Sequence, residues 1–246
     1  MTIGCRVGII ASSYQQHPIM LQYDVSVPSS LYSDLEKTTN SVLDGVVRVI
    51  ENNISENSYD AVADNENGIY RKDSNYDALR HLGIIMYTIT SNDFIAFNTT
   101  MFYVFKVGES SNAHYLMDNI IGGLNSNYLV YVNVNRVFMR IIDDNGGFHD
   151  MTTTTFNHNT KVVACSQLVL NTSKKLWLNN SLVSSTILPN MNPAQFNKNI
   201  NIMRSVANLA ENLLATHYEF RLYNGVLTNN SVNDIINELK TKWGIS

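Results

Sequence analysis

The sequence predicts an all-β sandwich or barrel closed by one short C-terminal amphipathic helix. Three observations carry this. From about Thr100 to Tyr223, apolar runs rich in β-branched and aromatic residues recur at roughly 8–12-residue spacing. Turns containing Asn or Gly separate them. After Thr228 the hydrophobic period lengthens from two residues to about 3.6, the signature of a helix face.

The first hundred residues are the least regular. "IMLQYDVSV" reads as a strand. "SLYSDLEKTT" reads as a short helix, with Leu31 and Leu35 four apart and Ser29 or Ser30 as cap. "DGVVRVIEN" is a further strand candidate, and the acidic, Asn-rich stretch from Asn52 to Tyr76 reads as long loops. The regular region then begins with "TMFYVFKV", a buried strand. "YLVYVNVNRVFMRII" divides into two strands meeting near Asn133–Asn135, with Val137, Met139 and Ile141 alternating against Arg136 and Arg140. Asn145-Gly146 is the strongest hairpin signal in the chain. "KVVACSQLVL", "KKLWL", the Asn179-Asn180 turn and "SLVSSTIL" follow, then "NINIMRSV" and "LLATHYEFRLY". In the last of these Tyr218, Phe220 and Leu222 are expected on one face, with Glu219 and Arg221 on the other. Thr228 leads Asn229, Asn230 and Ser231 as helix cap. Val232, Ile235, Ile236, Leu239 and Trp243 draw one apolar stripe, and Gly244 ends it.

Composition narrows the class. The chain has 246 residues and four unclustered prolines, with no linker-like break. Residues 19–246 therefore read as one domain, preceded by an irregular arm over residues 1–18. A formal charge of −4 gives no basic footprint for nucleic acid. No apolar run approaches the ~20 residues that span a bilayer, so no membrane partner is expected. Cys5 and Cys165 are too few and too far apart to suggest a disulfide framework. The first residues show no charged-then-apolar pattern of signal-peptide length, so synthesis in a cytoplasm is expected.

The ending "FRLYNGVLTNNSVNDIINELKTKWGI" resembles the close of the laminin-G-like, concanavalin A-like jelly-roll domains of many tailed-phage and bacterial surface proteins. There a last core strand carrying a Glu-x-x-x-Tyr-Asn-like segment leads to a Leu-Thr turn and a helix ending in a Lys-Trp-Gly-like signature. Glu219, Tyr223, Asn224, Leu227, Thr228, Leu239, Lys242, Trp243 and Gly244 occupy those places. "LWLNNSLV" resembles the family's Asn-Gly hairpin with Ser181 in place of the glycine, and "TMFYVFKV" its central strand. "VVRVIENNISENSYDAVADNENGIYRK" resembles its early variable segment without the usual glycine and tryptophan. The resemblance implies a jelly-roll sandwich with one open edge sealed by the terminal helix, and Trp243, Ile236 and Leu239 as its structural anchors.

Chemistry is sparse. No glutamate is followed by Asp or Glu at i+2, so the Glu-x-Asp-x-x-Glu strand of jelly-roll glucanases is missing. Asp60, Asp64 and Glu66, or Asp143, Asp144, Asn145 and Asp150, could ligate calcium through hard oxygens, but neither group has EF-hand spacing, and both read more readily as solvated turns. The six histidines form no His-x-His or His-x-x-x-His pair. Tyr14, Tyr59, Tyr70 and Tyr76 lie in loop-like sequence and are candidate contacts for a sugar or a neighbouring subunit. The expectation is a non-catalytic virion protein, most concretely a capsid decoration protein of a tailed phage contacting the major capsid protein or neighbouring subunits. The residue 1–18 arm would lie on a partner sheet. The alternative is a carbohydrate-binding receptor-recognition or adhesin domain whose partners are cell-surface glycans.

Overall fold

The structure is a computed structural model, and it describes residues 19–54, 59–63, 68–73, 75–81, 85–90, 98–108, 113–121, 125–143, 145–185, 199–205 and 215–246. Strands in chain order are β1 (Ile19–Asp24), β2 (Leu31–Tyr32), β3 (Val49–Ile50), β4 (Ala61–Ala63), β5 (Gly68–Asp73), β6 (Tyr76–His81), β7 (Ile85–Thr90), β8 (Thr99–Val107) and β9 (His114–Ile121). They continue with β10 (Asn125–Asn133), β11 (Arg136–Ile142), β12 (Phe148–Thr152), β13 (Val162–Val169), β14 (Ser173–Leu178), β15 (Ser181–Ser185), β16 (Asn199–Ser205) and β17 (Ala215–Tyr223). One helix, α1 (Asn229–Trp243), follows. The arm over residues 1–18, with Tyr14 and Cys5, lies outside the described residues, as do Asp64, Glu66 and Asp144.

The strands form two antiparallel sheets, ordered β15-β14-β13-β8-β17-β6-β5 and β12-β11-β10-β9-β16-β7-β4-β3-β2, with β1 added to β17 beside β6. Neighbours distant in sequence, such as β8 between β13 and β17, give the crossed connectivity of a jelly-roll sandwich. One core cluster joins the two sheets. Across it Tyr128 of β10 donates to Ser166 Oγ of β13 at 2.8 Å, and Tyr103 of β8 shares that hydroxyl at 3.1 Å. These three buried hydroxyls thereby satisfy one another.

The terminal helix forms as its pattern dictates. Thr228 Oγ1 accepts from Ser231 N at 3.2 Å, and Gly244 closes the helix at φ 62°. Val232, Ile235, Ile236, Leu239 and Trp243 are all buried. The helix does not seal an edge, however. It crosses the outer face of the eight-stranded sheet, bonding Lys175 and Asn180 at the β14 side and Asp24, Glu219 and Arg221 at the β1–β17 side. That face is apolar enough to need a cover: Phe102, Cys165 and Trp177 lie on it in register and are fully buried.

Three further expectations change. Leu31–Tyr32 is a strand paired with β3, and Leu35 is half exposed, so residues 31–39 make no helix and only a single 3-10 turn, Pro28–Ser30, precedes them. The Asp34 carboxylate instead accepts from the backbone N–H of Thr38 and Thr39 at 2.8 and 2.7 Å, a local turn that competes with helix formation. The stretch from Asn52 to Tyr76, read as loops, contains β4 and β5. Finally, a bulge between His217 and Glu219 shifts the alternation of β17. Tyr218 therefore leaves the face of Phe220 and Leu222 and joins Glu219 under the helix, its ring 5.3 Å from that of Trp243.

The helix is fastened by charge as well as packing. Glu219, with a fully buried side chain, accepts from Arg221 Nε at 2.5 Å, Gln22 Nε2 and Lys242 Nζ at 2.7 Å, and Trp243 Nε1 at 2.8 Å. Burial pulls the Glu219 pKa up, but Arg221 and Lys242 outweigh it and hold the carboxyl below its usual range. The Glu219, Lys242 and Trp243 of the closing signature thus meet at one point. Gly244 completes it, because a Cβ there would overlap the Tyr76 hydroxyl.

Candidate functional site: a cationic cleft beside the terminal helix

Where β5, β6, β17 and β8 lie side by side, the outer face of the eight-stranded sheet holds a cleft of about 190 Å³. Register builds it. Arg80, Thr216 and Lys106 are cross-strand neighbours on β6, β17 and β8, and such neighbours share a face. Alternation places Ala78 and Tyr76 on that face of β6, opposite Arg71 and Asp73 of β5. Lys72 reaches the rim, and Asn159 closes the far side. The Asn159 loop is pinned by a bond from its N–H to Val107 O at 2.8 Å, with Asn159 at φ 60°, a left-handed conformation asparagine tolerates.

Asp73 organises the interior. It accepts from Lys106 Nζ at 2.5 Å and from the Tyr218 hydroxyl. Burial raises its pKa, yet Lys106 and the Tyr218 bond outweigh that and keep it ionised below the usual carboxylate range. Lys161 Nζ lies 3.4 Å from the centroid of the Tyr76 ring and 5.6 Å from that of Tyr218. Burial pushes the Lys161 pKa down; Asp73 opposes this and Lys106 adds to it. Tyr76 and Tyr218 then flank Trp243 at 5.9 and 5.3 Å. The docked helix end is therefore the back of the cleft wall.

The local charge reverses that of the chain. Arg71, Lys72, Arg80, Lys106 and Lys161 are matched by Asp44, Asp73 and Asp77, through pairs at 2.8 Å (Arg71–Asp44), 2.5 Å (Lys72–Asp77) and 2.5 Å (Lys106–Asp73). Five cations to three carboxylates leaves an excess of positive charge on a protein of net charge −4. Arg80 has no hydrogen bond or ion pair among the described residues, which leaves its fork of donors for a ligand.

Of the tyrosines named from sequence, Tyr14 lies outside the described residues, and Tyr59, Tyr70 and Tyr76 do not converge. Tyr70 is buried and its hydroxyl donates to Asp77 Oδ1 at 2.6 Å. Burial first, then Asp77, pushes its pKa up to about 12. Tyr59 packs against the core, its carbonyl accepting from the Tyr23 hydroxyl at 2.5 Å. Of these three described tyrosines, Tyr76 borders the cleft. Among the calcium candidates, Asp143 accepts from Asn145 N, Gly147 N and the His149 ring, and Asp150 is held in a bidentate pair by Arg140 at 2.7 and 2.6 Å. Asp60 pairs with Lys37 at 2.9 Å. No cluster of three or more His, Cys, Asp or Glu suited to a metal occurs among the described residues.

A second surface lies on the outer face of the nine-stranded sheet. Across β9, β10 and β11, Tyr131 stacks on Phe138 with centroids 5.1 Å apart, and Tyr115 lies tilted against Tyr131 at 5.7 Å. The Arg140 guanidinium sits 5.6 Å from the Tyr131 ring and 4.9 Å from that of Phe148, which is 65% exposed. Alternation in the sequence turns Arg136 and Arg140 outward, but the aromatic row emerges only from the register of three strands.

No family model matches the chain, and no curated protein matches it in sequence. In structure it is similar to the botulinum neurotoxin serotype D ligand-binding domain in complex with N-acetylneuraminic acid, with TM-score 0.64 and 15% identity over 89% of this chain and 50% of that one. It is similar also to the botulinum neurotoxin type G receptor-binding domain (TM-score 0.60, 13% identity, 77% and 48% covered). The binding domain of Paraclostridial mosquitocidal protein 1 gives 0.63 and 14%, with 77% and 49% covered. At such identities the likeness establishes the fold, an all-β lectin-like sandwich. The chain spans about half the length of these domains.

Proposed function

We propose that the chain is a carbohydrate-binding receptor-recognition domain and that the cationic cleft is its site. The observation that carries this is the cleft itself. It is a concavity on rigid strands where a guanidinium, a carboxylate, a hydroxyl and an amide converge. Such a set can hydrogen-bond the hydroxyls of a sugar ring. The named structural matches support the reading, being receptor- or ligand-binding domains, one of them bound to an acidic sugar. The virion-assembly reading has the closing signature behind it, and that signature already has a local cause in the meeting of Glu219, Lys242 and Trp243. A glycan array with the wild-type chain and Asn159→Ala plus Thr216→Val tests the proposal. Binding to a restricted glycan set that weakens in both variants is expected; no glycan bound, or binding that neither substitution alters, refutes it.

A further inference from the structure

We infer that the cleft selects a sugar carrying an oxyanion substituent, a carboxylate or a sulfate ester, with Arg80 as its anchor. Assigning this ligand class rests on the cleft being the sugar site proposed above, and it adds a charge requirement that the fold alone does not impose.

Three features of the cleft point to an anion. The first is the charge of the lining, where Arg71, Lys72, Arg80 and Lys106 surround the one carboxylate Asp73, with Asp44 and Asp77 pairing Arg71 and Lys72 from outside it, in a concave site where field lines are focused. The second is the division of labour among the cations. Lys106 is held by Asp73, which is in turn bonded by Tyr218, so this ammonium is fixed in place at the floor. Lys72 and Arg71 are paired at the rim. Arg80 is the lining cation with no such partner among the described residues, and it stands in register with Thr216 between the rim and the Lys106 floor. A planar guanidinium with free donors matches the two oxygens of a carboxylate or sulfate in a forked pair. The third is the wall. Lys161 over Tyr76 adds a further positive charge at a partly desolvated position, where electrostatic attraction is stronger than in bulk water. Thr216 Oγ1 and the Asn159 amide remain for ring hydroxyls, so the site reads charge at Arg80 and hydroxyls beside it.

The test is a set of titrations of the full chain, followed by NMR, with four probes: galactose, glucuronate, galactose 6-sulfate and inorganic sulfate. Glucuronate or galactose 6-sulfate is expected to bind at least tenfold more tightly than galactose, with affinity falling as salt is raised. Arg80→Gln should erase that advantage, while Arg80→Lys retains part of it. Thermal melts of both variants confirm that the fold is intact, and Lys72→Gln supplies a second charge deletion should Arg80→Gln fail to fold. If galactose binds as tightly as the charged sugars, the oxyanion inference falls while the glycan reading stands. If inorganic sulfate binds as tightly as galactose 6-sulfate and neither glucuronate nor galactose adds anything, the anion site stands and the glycan reading falls. Charged-sugar binding unchanged in folded Arg80→Gln removes Arg80 as the anchor, and no binding of any probe overturns both.

Discussion

Glu219→Gln is the sharpest perturbation of the helix clasp. The wild-type carboxylate satisfies four donors at 2.5–2.8 Å from Arg221, Gln22, Lys242 and Trp243. A glutamine keeps the shape but offers one acceptor oxygen, and its amide turns two protons toward donors. Arg221, whose side chain is 6% exposed, then retains only Glu238, itself half exposed, and Lys242 retains Asp24. Breaking a buried pair costs about 3–5 kcal/mol, and each orphaned neutral donor adds on the order of 1 kcal/mol. These terms overlap, so the expected loss is about 4 kcal/mol. For a domain of this size that corresponds to a fall in Tm of roughly 8–16 °C. The pH dependence has a definite sign. The folded Glu219 carboxyl lies below its usual value, so its stabilisation is full above the unfolded pKa and is lost as pH falls through the folded one. The gap between wild type and Glu219→Gln should therefore narrow in acid. Thermal and urea melts followed by fluorescence of buried Trp177 and Trp243 measure it. A variant melting within 2 °C of wild type at pH 7, on the roughly 2–4 °C per kcal/mol scale, or a gap constant down to acid, would refute the clasp.

Other outcomes are expected from the same geometry. Gly244→Ala should cost about 1–3 kcal/mol, because it puts a side chain at φ 62° and against the Tyr76 hydroxyl, and Tyr76→Phe should recover part of that in a double-mutant cycle. Burial pushes the His114 pKa down to about 4. The unfolded chain therefore binds the extra proton first, and stability should fall by about 3 kcal/mol as pH drops from about 6.5 to 4. Urea midpoints across that window check it, and His114→Phe should flatten the slope. Arg140→Ala removes the Asp150 pair and the guanidinium between Tyr131 and Phe148; at this partly exposed site a loss of about 1 kcal/mol is expected in equilibrium unfolding.

The elements that were legible from sequence are those whose pattern is local. The Val232–Trp243 stripe, the Thr228 cap and the Gly244 stop each depend on residues within a few turns of one another. So do "TMFYVFKV" and "KVVACSQLVL", buried on both faces over most of their length and therefore mostly apolar. The cleft was not legible because β5, "GIYRKD", carries its charge on the face that lines the site and so has the composition of a loop. Its strand character comes from pairing with β6, a tertiary cause. The place of the helix is not legible in the sequence for a related reason. An apolar stripe says that something covers it, and only the outward Phe102, Cys165 and Trp177, seen in register, say what. Tyr218 changed face through a one-residue bulge, which no alternation pattern announces.

The most direct test of the cleft as the recognition site is residue-level shift mapping. Isotope-labelled chain is titrated with the tightest-binding glycan from the array, and side-chain and amide signals are followed together. The expected shifts fall on Arg71, Arg80, Lys106, Asn159 and Thr216, with a smaller one at the Trp243 indole through Tyr76 and Tyr218. Saturable shifts confined to the Tyr115–Tyr131–Phe138 row, with the cleft signals unmoved, would contradict the placement of the site.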